Sequence, residues 1–183
     1  MEFVTIFGSA KNPQSKQWQK EAKKLGKLLA KNGFGVITGA GSGIMKAANK
    51  GAFKAGGVSI GYGIDLPVQK KQNKFCSHLE IFPDFSSRKV KLMEKSSFFV
   101  VFPGGFGTLD ELGEILELNQ AGMIKSKIIL FDSDYWGELL GFLKHKMLKN
   151  DLINGLKNLS VCSNAKGVIK EILKHSNHKK ETK

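Results

Sequence analysis

Apolar positions along this chain come in short runs of four to six residues, separated by longer stretches in which they recur every third or fourth position. Runs at 2–7, 35–38, 58–62, 79–82, 98–102, 128–131 and 159–162 read as β-strands. Between them the spacing predicts helices over about 15–31, 44–55, 87–95, 109–121, 135–149 and 165–174. In the first helix Trp18, Ala22, Leu25, Leu28 and Leu29 share the inner face, and Asn32-Gly33 supplies the stop. Several strands are continuously apolar, as in Phe98-Phe99-Val100-Val101-Phe102, the mark of a strand covered on both faces. Strands alternating with helices over short connections predict one doubly wound α/β domain, with a mostly parallel sheet and helices on both faces. Residues 63–77 are polar and lysine-rich and read as a mobile loop.

Three glycine-rich turns interrupt this pattern, each directly after a strand: Gly8-Ser9-Ala10, Gly39-Ala40-Gly41-Ser42-Gly43 and Gly104-Gly105-Phe106-Gly107-Thr108. In an open parallel sheet ligands bind outside the carboxyl ends of the strands, so all three should gather at one edge. The second and third each open a helix, whose free N–H groups and positive dipole end attract an anion. Glycine removes the Cβ that would block close approach, and Thr108 adds a hydroxyl donor. Two such seats suit a phosphorylated ligand; tight packing alone is the competing explanation for either turn.

Common phosphate-handling patterns do not fit. A G-x-G-x-x-G loop would need glycine at position 44 or 110, which are Ile44 and Asp110, and no G-x-x-x-x-G-K-[ST] stretch exists. The nucleophile-elbow pattern is missing around Ser9 and Ser42. His78, His145, His175 and His178 lack metal-ligand spacing in the folded part, so no metal and no cofactor is expected.

Composition narrows the picture further. The chain has 183 residues, room for one domain (1–174) followed by a basic tail (175–183) read as disordered. No apolar run is long enough for a membrane span, and the N-terminus reads as a first strand rather than a signal peptide. Cys76 and Cys162 form no CxxC pair and read as free thiols in a reducing cytoplasm. The net charge of +13 raises nucleic acid as a partner, but the lysines line helix faces and the tail without interleaved aromatics or a recognised motif. An anionic small substrate fits better. Of the basic residues 28 are lysine and one is arginine, Arg88, a candidate for a place where a planar, forked, always-charged group is needed; chance or a helix-surface position is the competing explanation.

These residues resemble a known family. Pro103-Gly104-Gly105-Phe106-Gly107-Thr108-x-x-Glu111 is similar to the PGGxGTxxE signature of the Lonely Guy family, the cytokinin riboside 5′-monophosphate phosphoribohydrolases. Arg88-Lys89 resembles that family's Arg-Lys helix motif, Gly39–Met45 its glycine turn with Ala40 and Ile44 substituted, and Gly8-Ser9 its first-strand pair. The resemblance runs in order over roughly residues 3–170. It implies a Rossmann-like homodimer that hydrolyses the N-glycosidic bond of AMP or a cytokinin riboside monophosphate, releasing free base and ribose 5-phosphate. It implies Glu111 and Arg88 as the catalytic pair. It places substrate contacts at Gly8, Ser9, Gly39, Gly41, Gly43, Lys89, Gly104, Gly105, Gly107 and Thr108. Members are often labelled lysine decarboxylases, yet none of the lysines here has a recognisable pyridoxal-phosphate context.

Breaking the base–ribose bond builds positive charge on the sugar, so a carboxylate near that carbon or near the attacking water is required. Glu111 is the candidate. The rival explanation is a capping box, with Thr108 as N-cap and Glu111 reaching back from the third helical position. Glu114 is expected on a solvated face, Asn119-Gln120 in a base pocket or a dimer seam, and Asp84 or Glu80 beside Arg88. Phe75 and Phe85 could stack on a base. The helices at 87–95 and 109–121 are the expected dimer contact. A non-catalytic nucleotide or molybdenum-cofactor carrier of the same fold, and nucleic-acid binding through the lysines, are the competing functions.

Overall fold

In the computed structural model, residues 1–11, 16–65 and 73–181 are described. The turn expected at Asn12-Pro13, the middle of the loop 63–77 with Lys70 and Lys71, and the last two residues lie outside them. The strands are β1 (Phe3–Phe7), β2 (Gly35–Thr38), β3 (Ser59–Ile64), β4 (His78–Phe82), β5 (Ser96–Val101), β6 (Lys127–Phe131) and β7 (Leu159–Cys162). The helices are α1 (Lys16–Lys31), α2 (Gly43–Lys54), α3 (Phe85–Glu94), α4 (Phe106–Gln120), α5 (Ser133–Phe142) and α6 (Ala165–Glu181). After α5 a π-helical turn (Leu143–Met147) and a 3-10 turn (Leu148–Asn150) break what the periodicity predicted as one helix. The last helix runs past the expected end at 174, and Glu2 accepts a hydrogen bond from the buried Ser176 hydroxyl.

The strands form one sheet in the order β4-β3-β2-β1-β5-β6-β7, and every pairing is parallel. The α/β expectation therefore holds. From β1 the chain winds outward to β4, crosses back to pair β5 with β1, and winds outward on the other side. That reversal opens a crevice between the carboxyl ends of β1 and β5, the usual ligand site of such sheets.

The sheet is covered on both faces because its central strands are apolar on both. One core joins Val4, Ile6, Val36, Val100 and Ile129 to the inner sides of α1, α2 and α6. The other joins Phe7, Ile37, Phe99, Val101 and Leu130 to α3, α4 and α5. The rings of Phe102 and Phe131 stack with centroids 4.2 Å apart. Each buried ring of this size contributes roughly 1.5–3 kcal/mol, so the strands below the crevice are rigidly held. Glu21, buried on α1, accepts the Ala165 N–H at 2.7 Å and so fastens the start of α6 to α1.

Candidate active site

Backbone hydrogen bonds tie the three glycine turns together. Ser9 N–H, just past β1, donates to the Pro103 carbonyl at 3.1 Å, and the Ser9 carbonyl accepts Ile44 N–H at 3.0 Å. The Ser42 hydroxyl donates to the Ala10 carbonyl. Gly8 is squeezed between neighbours: a Cβ there would stand 2.8 Å from Ile44 Cγ2 and 2.9 Å from Phe102 Cβ. The expected convergence of all three turns at one sheet edge is thus realised. The Ser9 hydroxyl accepts Lys11 N–H at 3.1 Å.

The helices at these turns differ from α3 and α5 in their N-termini. The Asp84 carboxylate caps α3 by accepting Ser87 N–H, which holds its pKa below the usual carboxylate value, and Asp132 caps α5 by accepting Asp134 N–H and Tyr135 N–H. Neither α2 nor α4 has a side-chain cap. Ser42 stands at the N-cap of α2 but turns its hydroxyl to Ala10. Free first-turn N–H groups are what an anion needs at a helix start, and at α2 one of them, Ile44 N–H, is already taken by the Ser9 carbonyl.

The capping box does not form. α4 begins at Phe106 with Gly105 as N-cap, so Thr108 is the third helical residue rather than the cap. Extended Gly105 receives Thr108 N–H and Leu109 N–H on its own carbonyl, which starts the helix three residues earlier than the Thr-x-x-Glu pattern suggests. Thr108 is buried against Gly104, whose Cβ would stand 2.1 Å from Thr108 Oγ1.

Freed from capping, Glu111 faces Arg88. Arg88 on α3 and Glu111 on α4 are both buried, with Nη2 to Oε1 at 3.6 Å. Arg88 Nε donates to the Tyr62 carbonyl of β3 at 2.9 Å, and its Nη2 would lie 1.9 Å from a Cβ on Gly39. Burial pushes the Glu111 carboxyl up to about 7, against the downward pull of Arg88. Burial also lowers the Arg88 pKa, and Glu111 opposes that shift. The result is a carboxyl that is part protonated and part ionised near neutral pH, beside a fixed cation, the condition a general acid–base group requires.

Lys89 points to the flank of α4. Its Nζ is 2.7 Å from Glu114 Oε2 and 3.0 Å from Asp110 Oδ2, and the bond to Glu114 chiefly raises its pKa. Glu114, expected on a solvated face, is therefore half of an ion pair. The Asp84 and Glu80 carboxylates are engaged elsewhere: Asp84 caps α3 and meets Arg88 through its carbonyl, which accepts Arg88 N–H at 3.4 Å, and Glu80 lies 3.9 Å from His78. Asn119 donates to Ser126 Oγ and Ile115 O, so its amide secures the end of α4. Gln120 accepts Asn154 N–H. Both residues line an apolar groove of about 640 Å³ between α4, α5 and the 147–159 segment. Phe75 meets Phe53 edge-on at 6.3 Å, and Phe85 is exposed at the start of α3.

A profile of the family described as "Possible lysine decarboxylase" matches residues 45–172. The chain belongs to that family, the Lonely Guy proteins. It is 24% identical over 174 residues to the cytokinin riboside 5′-monophosphate phosphoribohydrolase of Rhodococcoides fascians, covering 92% of this chain and 88% of the relative. A probable enzyme of the same name from Oryza sativa subsp. japonica is 27% identical over 143 residues, covering 76% of this chain and 57% of the relative. In fold, the molybdenum cofactor binding protein of Rippkaea orientalis superposes with a TM-score of 0.74 at 22% identity, over 94% of this chain and 96% of that one.

In this Lonely Guy protein Gly39, Arg88 and Glu111 each lie in a family-like motif, and the fold brings those three residues together. Two supports carry no such mark. The Tyr135 hydroxyl, on α5, donates to the Gly104 carbonyl. The Tyr62 carbonyl, in mid-strand, receives Arg88. Tyr135 follows its own helix cap by only three residues, which is the sole sequence hint that its ring lies near a strand end. A carbonyl acceptor leaves no trace in residue type at all.

Proposed function

We propose that this protein is a nucleoside 5′-monophosphate phosphoribohydrolase, acting on AMP or a cytokinin riboside 5′-monophosphate. The buried Arg88–Glu111 pair beside two uncapped helix starts is the observation that carries the reading. The 5′-phosphate takes free N–H groups of the turns 39–43 and 104–107, and at Gly105 and Gly107 the space a Cβ would occupy is open to its close approach. Gly8, Ser9 and Thr108 line the same crevice. Lys89, held between Asp110 and Glu114, contributes charge from the edge. Holding the phosphate fixes the ribose, and an oriented sugar lowers the barrier before any chemistry begins.

The C1′–N bond then breaks with its electron pair moving to the base nitrogen, which takes up a proton. Positive charge grows on C1′ and the ring oxygen, where the Glu111 carboxylate stabilises it. A water oxygen bonds to C1′ and gives a proton to Glu111; Glu111 releases it to solvent, which supplied the proton taken up by the base nitrogen, so AMP plus water becomes adenine plus ribose 5-phosphate. Arg88 keeps Glu111 partly ionised in a buried setting that otherwise favours its neutral form. The phosphoribohydrolase names of the relatives support the same reaction.

The alternative is a non-catalytic nucleotide or molybdenum-cofactor carrier, a role that the Rippkaea protein's name gives to that protein. The buried Arg88–Glu111 pair favours the enzyme, since binding alone does not need a carboxylate beside the cation. We extend the proposal to a homodimer through α3 and α4, where Phe85, Val90, Phe106 and Leu109 are exposed. Solution scattering that returns a monomer would remove that extension.

Chromatography of free bases after incubation with AMP, GMP, CMP, UMP and isopentenyladenosine monophosphate tests the reaction. Adenine or isopentenyladenine release is expected; no base from any of the five would overturn it. Glu111→Gln should fold normally and lose about 10²–10⁴ in turnover. Near-normal turnover in that variant would defeat the mechanism.

A further inference from the structure

Beneath the second glycine turn lies a closed cluster of polar side chains that the reaction does not touch. Asn49, on the inner side of α2, is fully buried. Its Oδ1 accepts the Thr38 hydroxyl at 2.6 Å and Asn73 Nδ2 at 2.8 Å. Its Nδ2 donates to Ser59 Oγ at 2.8 Å and to the Ile60 carbonyl at 3.3 Å. Every hydrogen-bonding position of this amide is filled, and Thr38, Ser59 and Asn73 are buried with it. A buried polar network of this kind is costly if any member is unpaired, and when complete it fixes one arrangement.

The arrangement it fixes is the backbone against Arg88. Thr38 Oγ1, oriented by Asn49, accepts Ala40 N–H at 3.1 Å. Ala40 has φ of 58°, a left-handed conformation that a residue with a Cβ rarely adopts. Its methyl fits because β3 carries glycine beneath it: a Cβ on Gly61 would stand 2.9 Å from Ala40 Cβ. Gly39, between Thr38 and Ala40, is the residue whose missing Cβ leaves room for Arg88 Nη2. On the other side, Asn73 Oδ1 accepts Phe75 N–H at 3.1 Å and Ser59 Oγ donates to the Phe75 carbonyl at 2.8 Å. The cluster thus pins both the Gly39–Ala40 backbone and the 73–75 segment to β3, the strand whose Tyr62 carbonyl holds Arg88.

We propose that Thr38 and Asn49 are positioning residues for the Arg88–Glu111 pair: their buried cluster holds Ala40 left-handed, and Gly39 then sets where the guanidinium lies. The consequence for turnover rests on the phosphoribohydrolase reading; the consequence for Arg88 and Glu111 does not. Thr38→Val removes the hydroxyl at nearly constant shape. It should shift the Glu111 titration, followed by NMR of glutamate labelled at the carboxyl carbon, by one pH unit or more. On AMP it should lower kcat about tenfold with KM within about twofold. Thr38→Ser should restore both. Ala40→Gly added to Thr38→Val should recover most of the loss, because glycine adopts the left-handed conformation without help.

A lower melting temperature with the Glu111 midpoint and kcat unchanged would overturn the proposal and leave the cluster merely structural. Should Thr38→Val not fold, amide exchange in the unaltered protein decides: the proposal requires a strongly protected Ala40 N–H, and exchange at the rate of an open loop refutes it. If the protein releases no base at all, the functional reading fails, while the titration of Glu111 still reports on positioning.

Discussion

The two helix-opening glycine turns look alike in sequence and are built in opposite ways. In the turn 39–43 the glycines are demanded by the protein itself. A Cβ on Gly39 would meet Arg88 Nη2 at 1.9 Å, and one on Gly43 would meet the Ser9 carbonyl oxygen at 2.3 Å with φ at 58°. In the turn 104–107 only Gly104 is packed, against Thr108; Gly105 and Gly107 have no atom within 4 Å of where a Cβ would stand. The first turn therefore organises the site's own side chains. The second keeps its backbone accessible from outside, so a requirement for glycine at 105 or 107 must come from what approaches it. A glycine-rich motif can hold either meaning, and local sequence does not distinguish them.

Substitutions can separate the two meanings, and the largest effect is expected at Gly39. Gly39→Ala forces Arg88 from its place, so turnover on AMP should fall about 100-fold, an expectation for misplaced catalytic groups. Stability should fall by about 1–3 kcal/mol, as in overpacked cores. Steady-state kinetics and denaturant titration read the two separately, and a fully active Gly39→Ala would mean that Arg88 does not matter to the reaction.

The buried carboxyl gives the next effect. The folded state holds the Glu111 proton up to about pH 7, whereas the ordinary value is 4.5. Between those values the folded protein binds more protons than the unfolded chain, so stability must fall as pH rises through the window, by about 3 kcal/mol at most. Glu111→Gln should flatten that slope in urea titrations at pH 5 and pH 8. An unchanged slope would place the titration elsewhere.

Gly43→Ala should cost about 2 kcal/mol, because left-handed strain and the Ser9 carbonyl act together. At the contrasting turn, Gly105→Ala should leave stability within about 0.5 kcal/mol, the range of surface changes. It should nevertheless weaken nucleotide binding about tenfold by calorimetry. If binding is unaffected, the phosphate does not approach Gly105 closely. The smallest effect belongs to Tyr135→Phe, which removes one hydrogen bond to the Gly104 carbonyl and should cost about 1 kcal/mol in thermal unfolding.

Much of the architecture was legible in the chain, and the errors are instructive. The apolar runs locate all seven strands to within a few residues; the central ones are apolar throughout because both faces are buried, whereas the edge strands β4 and β7 are largely exposed or half-buried. The helix after β5 starts three residues before the position its sequence pattern indicates. Thr108-x-x-Glu111 satisfies the residue types of a capping box, but Gly105 lets the helix begin earlier and carries Thr108 inside. The break after Phe142 had no marker, as no proline or glycine follows until Gly155. At the site, Lys89 carried a motif and proved to be bound to Glu114 and Asp110. Asn49 carried none, being one polar residue on a helix side that otherwise reads as core.

What the sequence determined by itself is what depends on neighbours along the chain: the alternation of strands and helices, the turns that require glycine, and the single arginine. Period and turn chemistry are local, so they can be read without coordinates. What only the tertiary structure decided is which distant groups meet. Placing β1 between β2 and β5 joins three turns from separate parts of the chain. The same order brings Arg88 to Glu111, Tyr62 and Gly39, and Asn49 to Thr38 and Asn73. The burial that moves the Glu111 carboxyl toward neutrality comes from the packing of α4 against α3 and the sheet, and it exists only once the chain is folded.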